Sequence, residues 1–350
     1  MSSLDFSQWI FPIAALEQTP TALERSLQDE MYNRNRGIEF LFRLGTSIAL
    51  HKAAIFTAAT WFHRFFMRHS MEDYHRQEVA AACIFLATKT EECGRKLRDV
   101  ARVYCAKSDN VDINDVPSQG KTIDITCDMI LLTEEVLLEA LCFDFVVESP
   151  HADLVDLFEK FECATKLQDY AWTIAHDSYR TPLCVLYPPK ILTASAFVLA
   201  QHLAEPSSSQ TLDPLLEQLR APHPNAGPFT PTSPEQRQLP HEFLMTDSEM
   251  ISVRDALSIL LEFYHWQATV NSMEHLQRLA AVTLPTSTSP RPVLYPSPDL
   301  SNGHSSTADQ TIPPPAPNSQ PPEPPRTTTV SNGTFQRSPA KPSGRRLDLS

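Results

Sequence analysis

The stretch that decides the fold is EVAAACIFLATK, residues 78–89. Between Val79 and Thr88 it is apolar around nearly its whole circumference, which is typical of a helix that other helices surround. A second stretch of similar composition, KILTASAFVLAQ, follows at residues 190–201. Both place small residues among Ile, Phe, Val and Leu, the composition of a closely packed helix. The sequence therefore predicts two central helices and an internal duplication of a roughly five-helix unit.

The segments around these two stretches have the period of amphipathic helices. One predicted core face contains Ala54, Ala58, Trp61, Phe62 and Phe65, and another contains Met129, Leu132, Val136, Leu137, Ala140 and Leu141. No convincing period-two alternation is present, so we expect an all-α fold. The predicted helices span about 34–50, 52–68, 75–89, 94–106, 124–142, 150–162, 165–181, 189–204 and 249–275.

Composition excludes several classes of protein. The 8 glycines form no GxGxxG or GxxxxGK(S/T) motif, which nearly excludes a phosphate-cradling loop. The net charge of −13 disfavours nonspecific nucleic-acid binding. The 7 cysteines form no CxxC pair, so we expect reduced core thiols and no metal site. Without a signal sequence or a run long enough to span a bilayer, the chain is expected to be soluble and intracellular.

The composition changes along the chain. Residues 1–204 are rich in apolar residues, and residues 205–240 are rich in Pro, Ser and Gln, which predicts an inserted loop. An apolar period returns over about 241–280. Fifteen of the 30 prolines then lie between Pro285 and Pro342. Because such a segment buries too little apolar area to offset its ordering entropy, we expect a disordered tail.

Several ordered motifs resemble those of the cyclin family. The string CIFLATKTEECGRKLRDV (83–100) resembles the centre of a cyclin box, and LLTEEVLLEALCFDFVVESPH (131–151) resembles the end of one. YPPKILTASAFVLA (187–200) is similar to the matching helix of a second box. The resemblance implies two tandem five-helix cyclin boxes. The implied parts are an N-terminal extension (1–33), a first box (34–148), a second box (149–280) with a disordered insertion at about 205–240, and a disordered Pro-rich tail (281–350).

Two further motifs resemble the transcription-type branch of cyclins, that of cyclins K and T. These are WIFPIAALEQTPT (9–21) and TAATWFHRFFMRHS (57–70). The resemblance implies a nuclear regulatory subunit, not an enzyme, that forms a heterodimer with a cyclin-dependent kinase of the transcription-elongation type. The implied substrate is the C-terminal domain of RNA polymerase II. No cofactor, membrane or direct nucleic-acid partner is expected. Cyclin L and the cyclin of the fungal polymerase-tail kinase are alternatives within the family.

The resemblance also implies a kinase-binding site. Lys89 matches the lysine that bonds to the kinase, and Glu134 matches its acidic companion, although Lys89 in that position could also cap its own helix. Glu92 is a further candidate contact, with a solvated helix end as the alternative.

Leu86, Phe143 and Phe145 match apolar interface positions, with core packing as the alternative. Arg34 matches a structural arginine at the start of the first helix of the box.

Ser338 precedes Pro339, so it is a candidate site for a proline-directed kinase such as the implied partner. Ser-Pro pairs are equally common in any Pro/Ser-rich tail. Two alternative functions are a cyclin-fold general transcription factor that binds DNA directly, and an all-α enzyme. The charge and cysteine spacing do not supply the basic face or zinc ribbon that the first requires.

Overall fold

The computed structural model describes residues 6–160, 163–204, 212–220, 243–270, 279, 282 and 291–296. Within them the ordered secondary structure is helical and contains no strand, which confirms the all-α prediction. The α-helices are α1 (Pro20–Glu24), α2 (Leu27–Ser47), α3 (Lys52–Phe65), α4 (Arg76–Thr90), α5 (Leu97–Ser108), α6 (Lys121–Ala140), α7 (Pro150–Lys160), α8 (Thr165–Ser178), α9 (Pro189–Ala204), α10 (Asp213–Leu219) and α11 (Asp247–Val270). Ser338 lies outside the described residues.

Helix α2 begins seven residues earlier than the sequence predicts. Ser26 caps it, because the Ser26 side chain accepts a hydrogen bond from the Asp29 backbone N–H. Asp29 and Glu30 add acidic charge in the first turn, where the helix dipole favours it. Arg34 was expected at the start of the first helix of the box. It lies instead within α2, seven residues after the first residue of the helix.

The first hydrophobic core is built around α4. Every residue of α4 from Val79 to Ile84 is fully buried, as expected for a stretch that is apolar on nearly all sides. Helices α2, α3, α5 and α6 pack against it. The approach of α2 to α3 requires a glycine: a Cβ on Gly37 would lie 2.3 Å from Cζ of Phe62. The second core is built in the same way around α9, which α7, α8, α10 and α11 contact.

The buried face of α6 agrees with the predicted one except at one position. Leu137, Ala140 and Leu141 are buried, and Met129 and Val136 pack partly buried against the first core. Leu132, expected in the core, is 65% exposed. The buried face also includes Ile123, Cys127, Ile130 and Glu134. A carboxylate thus occupies a core-facing position of the helix.

Two segments expected to be unstructured are ordered in part. Helix α10 lies within the predicted disordered insertion, where Leu212, Leu216 and Leu219 are buried against the second core. Residues 291–296 lie within the predicted disordered tail, yet Leu294 and Tyr295 are buried in the same core. Composition averages hid these short apolar clusters. Val282, also in the predicted tail, is buried in the same core, and the rest of the insertion and of the tail lies outside the described residues.

The two cores correspond in sequence to the two halves of the helical region. The first contains residues between Ile38 and Leu141 together with Tyr179, and the second contains residues from Leu154 onward together with Leu16 and Met31. All described residues belong to one compact unit, 1–302. The predicted boundary between the boxes at 148/149 stays a prediction. No helix in the described part of the chain has the length and apolarity to cross a bilayer.

Candidate functional site

The end of α4 and the middle of α6 bring Lys89 and Glu134 together. Lys89 Nζ lies 2.5 Å from Oε1 of Glu134. The Lys89 side chain is 47% exposed, whereas that of Glu134 is only 7% exposed. Glu134 Oε1 accepts no hydrogen bond from the described residues, so the contact with Lys89 is an ion pair without hydrogen-bond alignment. The pair presents a positive group to solvent above an anchored carboxylate.

Lys89 is held in place from a second side. Its Nζ lies 4.5 Å from the centroid of the Phe85 ring, one turn earlier in α4. A cation over an aromatic ring at this distance is attracted by the ring quadrupole. Lys89 is therefore oriented by both Glu134 and Phe85, which lowers the side-chain entropy that a partner would have to remove on binding.

The loop after α4 is fixed by hydrogen bonds to neighbouring elements. Thr57 Oγ1 donates to Glu91 Oε1 at 2.8 Å. Arg95 donates from Nε to the Ile48 carbonyl at 2.8 Å and from Nη2 to the Ala49 carbonyl at 2.6 Å. Glu92 is exposed and has a left-handed φ of 51°. The structure describes no direct contact between Glu92 and Glu134.

A left-handed turn ends α6 and projects an aromatic ring. Cys142 and Phe143 have φ values of 51° and 56°, and the Phe143 N–H donates to the Leu138 carbonyl at 3.1 Å. This bond satisfies one of the last carbonyls of the helix, a role that a glycine usually permits. Phe143 is 65% exposed. A strained backbone that holds an apolar ring in solvent is typical of a functional position.

The other two apolar candidates are less exposed. Phe145 is partly buried, and its ring contacts the buried Trp61 ring edge-to-face with centroids 5.9 Å apart. Leu86 is 3% exposed and packs in the first core. Among these three residues, only Phe143 presents most of its side chain at the surface. Leu131 and Leu132, which sequence reasoning did not select, add exposed apolar area within one turn of Glu134.

The N-terminal segment holds the turn that carries Phe143. Gln8 Nε2 and Trp9 Nε1 donate to Asp144 Oδ2 at 2.6 and 2.8 Å. The Trp9 ring lies under two guanidinium groups, with Arg64 at 4.7 Å and Arg68 at 4.8 Å from its centroid. Sequence reasoning quoted Trp9 and Asp144 in separate motifs but did not connect them, because no local spacing links residues so far apart.

The same turn shows an electrostatic consequence of this contact. Partial burial alone would raise the pKa of Asp144, but hydrogen bonds from Trp9, Val146 and Gln8 together lower it. The charged carboxylate is thus the form that the N-terminal segment stabilises.

Arg34 lies in a fully buried polar network that joins α2, α3 and the N-terminal turns. Its guanidinium pairs with Glu30 and donates to the carbonyls of His63 and Phe66 at 3.1 and 2.8 Å. Glu30 in turn accepts from Thr19. These contacts support a structural role for Arg34.

His63 is part of this network and is fully buried. Burial, followed by the charge of Arg34, lowers its pKa to about 3. Nε2 lies 2.9 Å from the Tyr179 carbonyl, so Nε2 carries the proton and Nδ1 accepts from Arg34 at 3.3 Å. Among the described residues, no cluster of three or more His, Cys, Asp or Glu side chains is placed to hold a metal ion.

The chain is similar to known proteins over the region that contains this site. Residues 15–146 match the family model "Cyclin, N-terminal domain". Cyclin pch1 of Schizosaccharomyces pombe is 44% identical over 216 residues, which are 61% of this chain and 63% of the relative. Human cyclin-K is 31% identical over 202 residues, and cyclin-T1-4 of Arabidopsis thaliana is 33% identical over 202 residues. These two matches cover 56% of this chain, and 34% and 37% of the relatives.

Residues 15–146 are thus similar to the N-terminal domain of cyclins, and the relatives named above are all cyclins. The matched region spans between about a third and just under two thirds of those relatives. A chain in the crystal structure of the yeast RNA Pol II CTD kinase CTDK-1 complex has a similar fold, with a TM-score of 0.54, 16% identity, and coverage of 88% of this chain and 92% of that one.

Proposed function

We propose that this chain is the regulatory subunit of a cyclin-dependent kinase of the transcription-elongation type and acts in the nucleus. The kinase would phosphorylate the C-terminal domain of RNA polymerase II, and the chain itself would not be an enzyme. The match of residues 15–146 to the N-terminal domain of cyclins and the similarity to cyclin pch1 and cyclins K and T support the proposal. The observation that carries it is the Lys89–Glu134 pair at the junction of α4 and α6.

The pair suits recognition of a partner helix and its adjoining backbone. Lys89 offers N–H donors, and the Glu134 carboxylate, which pairs with Lys89 in the free chain, offers an acceptor. The exposed Leu131, one turn before Glu134, and the exposed Phe143 would supply apolar area for burial. Polar bonds would then fix the register of the partner, and apolar burial would provide affinity. In this proposal Glu92 would contact the partner at the edge of the surface, and Leu86 and Phe145, which are buried and partly buried, would support it from beneath.

Activation would follow from selective binding. A mobile helix of a protein kinase carries the glutamate that pairs with the ATP-positioning lysine. A rigid surface that binds the active position of that helix more tightly than the inactive one shifts the kinase toward activity. The rigidity comes from the packed first core and from the anchors at Arg95 and Asp144.

The proposal is tested by reconstitution. The full chain is added to a purified transcription-elongation kinase, and phosphorylation of a heptad-repeat peptide is measured. We expect little activity without the chain and strong activation with it. A double variant, Lys89→Glu with Glu134→Lys, retains an internal ion pair but reverses both charges toward the partner, so it should fail to activate.

Lys121→Glu is the matched control, since it reverses an exposed lysine at the opposite end of α6. It should activate normally. If neither this kinase nor related polymerase-tail kinases respond to the wild-type chain, the proposed function is wrong. Binding of the isolated chain to duplex DNA would instead favour the transcription-factor alternative. Phosphorylation of Ser338 by the reconstituted kinase, measured by mass spectrometry, would test the proposed tail site separately.

A further inference from the structure

A short segment of the Pro-rich tail packs against the second core. Residues 291–296, with the sequence RPVLYP, are the described part of a region that composition marks as unable to fold by itself. Leu294 is fully buried and Tyr295 is 3% exposed. The preceding residue, Val293, is 52% exposed. Leu294 and Tyr295 are thus two adjacent buried anchors, with the exposed residues Val293 and Pro296 on either side.

One acidic side chain on α11 contacts both a side chain and the backbone of the segment. Glu262 pairs with Arg291 through Oε1, and its Oε2 accepts from the Leu294 backbone N–H at 3.2 Å. The Arg291 and Glu262 side chains are only 9% and 11% exposed. A paired charge so far removed from water forms a charge-assisted bond that discriminates strongly against a neutral residue in place of arginine.

Aromatic side chains from two helices form the apolar part of the groove. The Tyr295 ring lies 5.4 Å from the Phe263 ring in an edge-to-face arrangement and 5.6 Å from the Trp266 ring. Tyr32 of α2 packs edge-to-face on Trp266 at 6.1 Å. On the rim, Gln28 Nε2 donates to the Val293 carbonyl at 3.4 Å. We refer to this surface, formed by Gln28, Tyr32, Glu262, Phe263 and Trp266, as the α2–α11 groove.

The bound segment has the properties of an exchangeable ligand. Pro292 and Pro296 fix the φ angle at two of its six positions, so less backbone entropy is lost on binding. Arg291 Nε and the Tyr295 hydroxyl are buried without a hydrogen-bond partner among the described residues.

We propose that the α2–α11 groove is a peptide-binding site for the pattern Arg-Pro-x-Leu-Tyr-Pro, and that residues 291–296 occupy it in cis. Arginine is specified by Glu262, and the Leu-Tyr pair is specified by the aromatic cluster and the second core. Covalent attachment to the rest of the chain gives the segment an effective concentration on the order of 1 mM. For a free peptide with a Kd of about 50 μM, occupancy in cis would weaken apparent binding by about 20-fold.

The test uses the full chain and a fluorescent peptide with the sequence of residues 289–298. Binding is measured by anisotropy for the wild type and for a variant with Arg291→Ala, Leu294→Ala and Tyr295→Ala, which empties the groove. We expect the variant to bind the peptide at least about tenfold more tightly than the wild type does. Val293→Ala is the matched control, since this side chain is mostly exposed, and it should bind like the wild type.

A second substitution tests recognition itself. Adding Glu262→Gln to the triple variant should weaken peptide binding at least about tenfold, because the buried arginine loses its charge partner. Equal binding by the wild type and the triple variant, or binding that Glu262→Gln leaves unchanged, overturns the proposal. If the triple variant does not fold, Arg291→Ala alone is compared with the wild type by hydrogen exchange. Faster exchange at Leu294 and Tyr295 supports the proposal, and unchanged exchange overturns it.

Discussion

The left-handed turn at Phe143 predicts that two substitutions of this residue differ in stability but not in kinase activation. Replacing Phe143 by Ala removes the exposed ring but leaves a Cβ in a conformation that costs an L-residue about 1–2 kcal/mol. Replacing it by Gly removes the same ring and the strain as well, at a cost of about 0.5–1 kcal/mol in unfolded-state entropy. The Gly variant should therefore be more stable than the Ala variant by about 0.5–1 kcal/mol, the reverse of the order in a helix interior.

Urea unfolding measures this difference directly, and a thermal scan should show it as a few degrees. In a kinase-activation assay both variants should be impaired to a similar degree, because both lack the ring. Cys142→Gly serves as the control, since it relaxes the adjacent left-handed residue and leaves Phe143 in place. An Ala variant at least as stable as the Gly variant would refute the backbone argument, and full activation by both would refute the role of the ring.

Three further predictions follow from the packing and the buried polar groups. Gly37→Ala should destabilise the chain by about 1–3 kcal/mol, because the new Cβ would overlap the buried Phe62 ring, whereas Gly94→Ala, with open space around it, should have no such effect in the same unfolding assay. The pKa of His63 is 6.5 in the unfolded chain and about 3 in the folded chain. The free energy of unfolding should therefore fall as the pH drops below 6.5, and His63 contributes up to about 1.4 kcal/mol per pH unit to this fall. His63→Gln, which retains a donor toward the Tyr179 carbonyl, should reduce that slope in urea titrations at several pH values. Trp9→Phe and Asp144→Ala should be non-additive in a double-mutant cycle by about 1 kcal/mol, and additive effects would show that their hydrogen bond contributes nothing.

The central helices could be predicted from the sequence because nearly every residue in them is apolar or small. No register has to be chosen for a stretch such as 78–89 that is apolar on all sides, and α4 and α9 lie where the two stretches place them. Helix α6 shows the opposite case. It carries more apolar residues than one face can bury, so the predicted face correctly included Leu137 and Leu141 but also included the exposed Leu132.

The candidate site could be predicted only where a motif carried it. Lys89 and Glu134 came from the family resemblance, and the structure brings them into contact. The left-handed turn was invisible because non-glycine residues adopt it, and the contact between Trp9 and Asp144 was invisible because only tertiary structure brings them together. Residues 291–296 were missed because composition was averaged over a long tail, while binding depends on three anchors in six residues.

The central claim is that the Lys89–Glu134 pair contacts the activating helix region of a kinase. The most direct measurement is the Kd of the full chain for its purified kinase, for the wild type, Lys121→Glu, and Lys89→Glu with Glu134→Lys. The account predicts equal affinity for the first two. It predicts a loss of about 30-fold or more for the charge-reversed pair, which corresponds to about 2 kcal/mol for disrupted buried polar contacts. An unchanged Kd for the charge-reversed chain, with its fold intact, would contradict it.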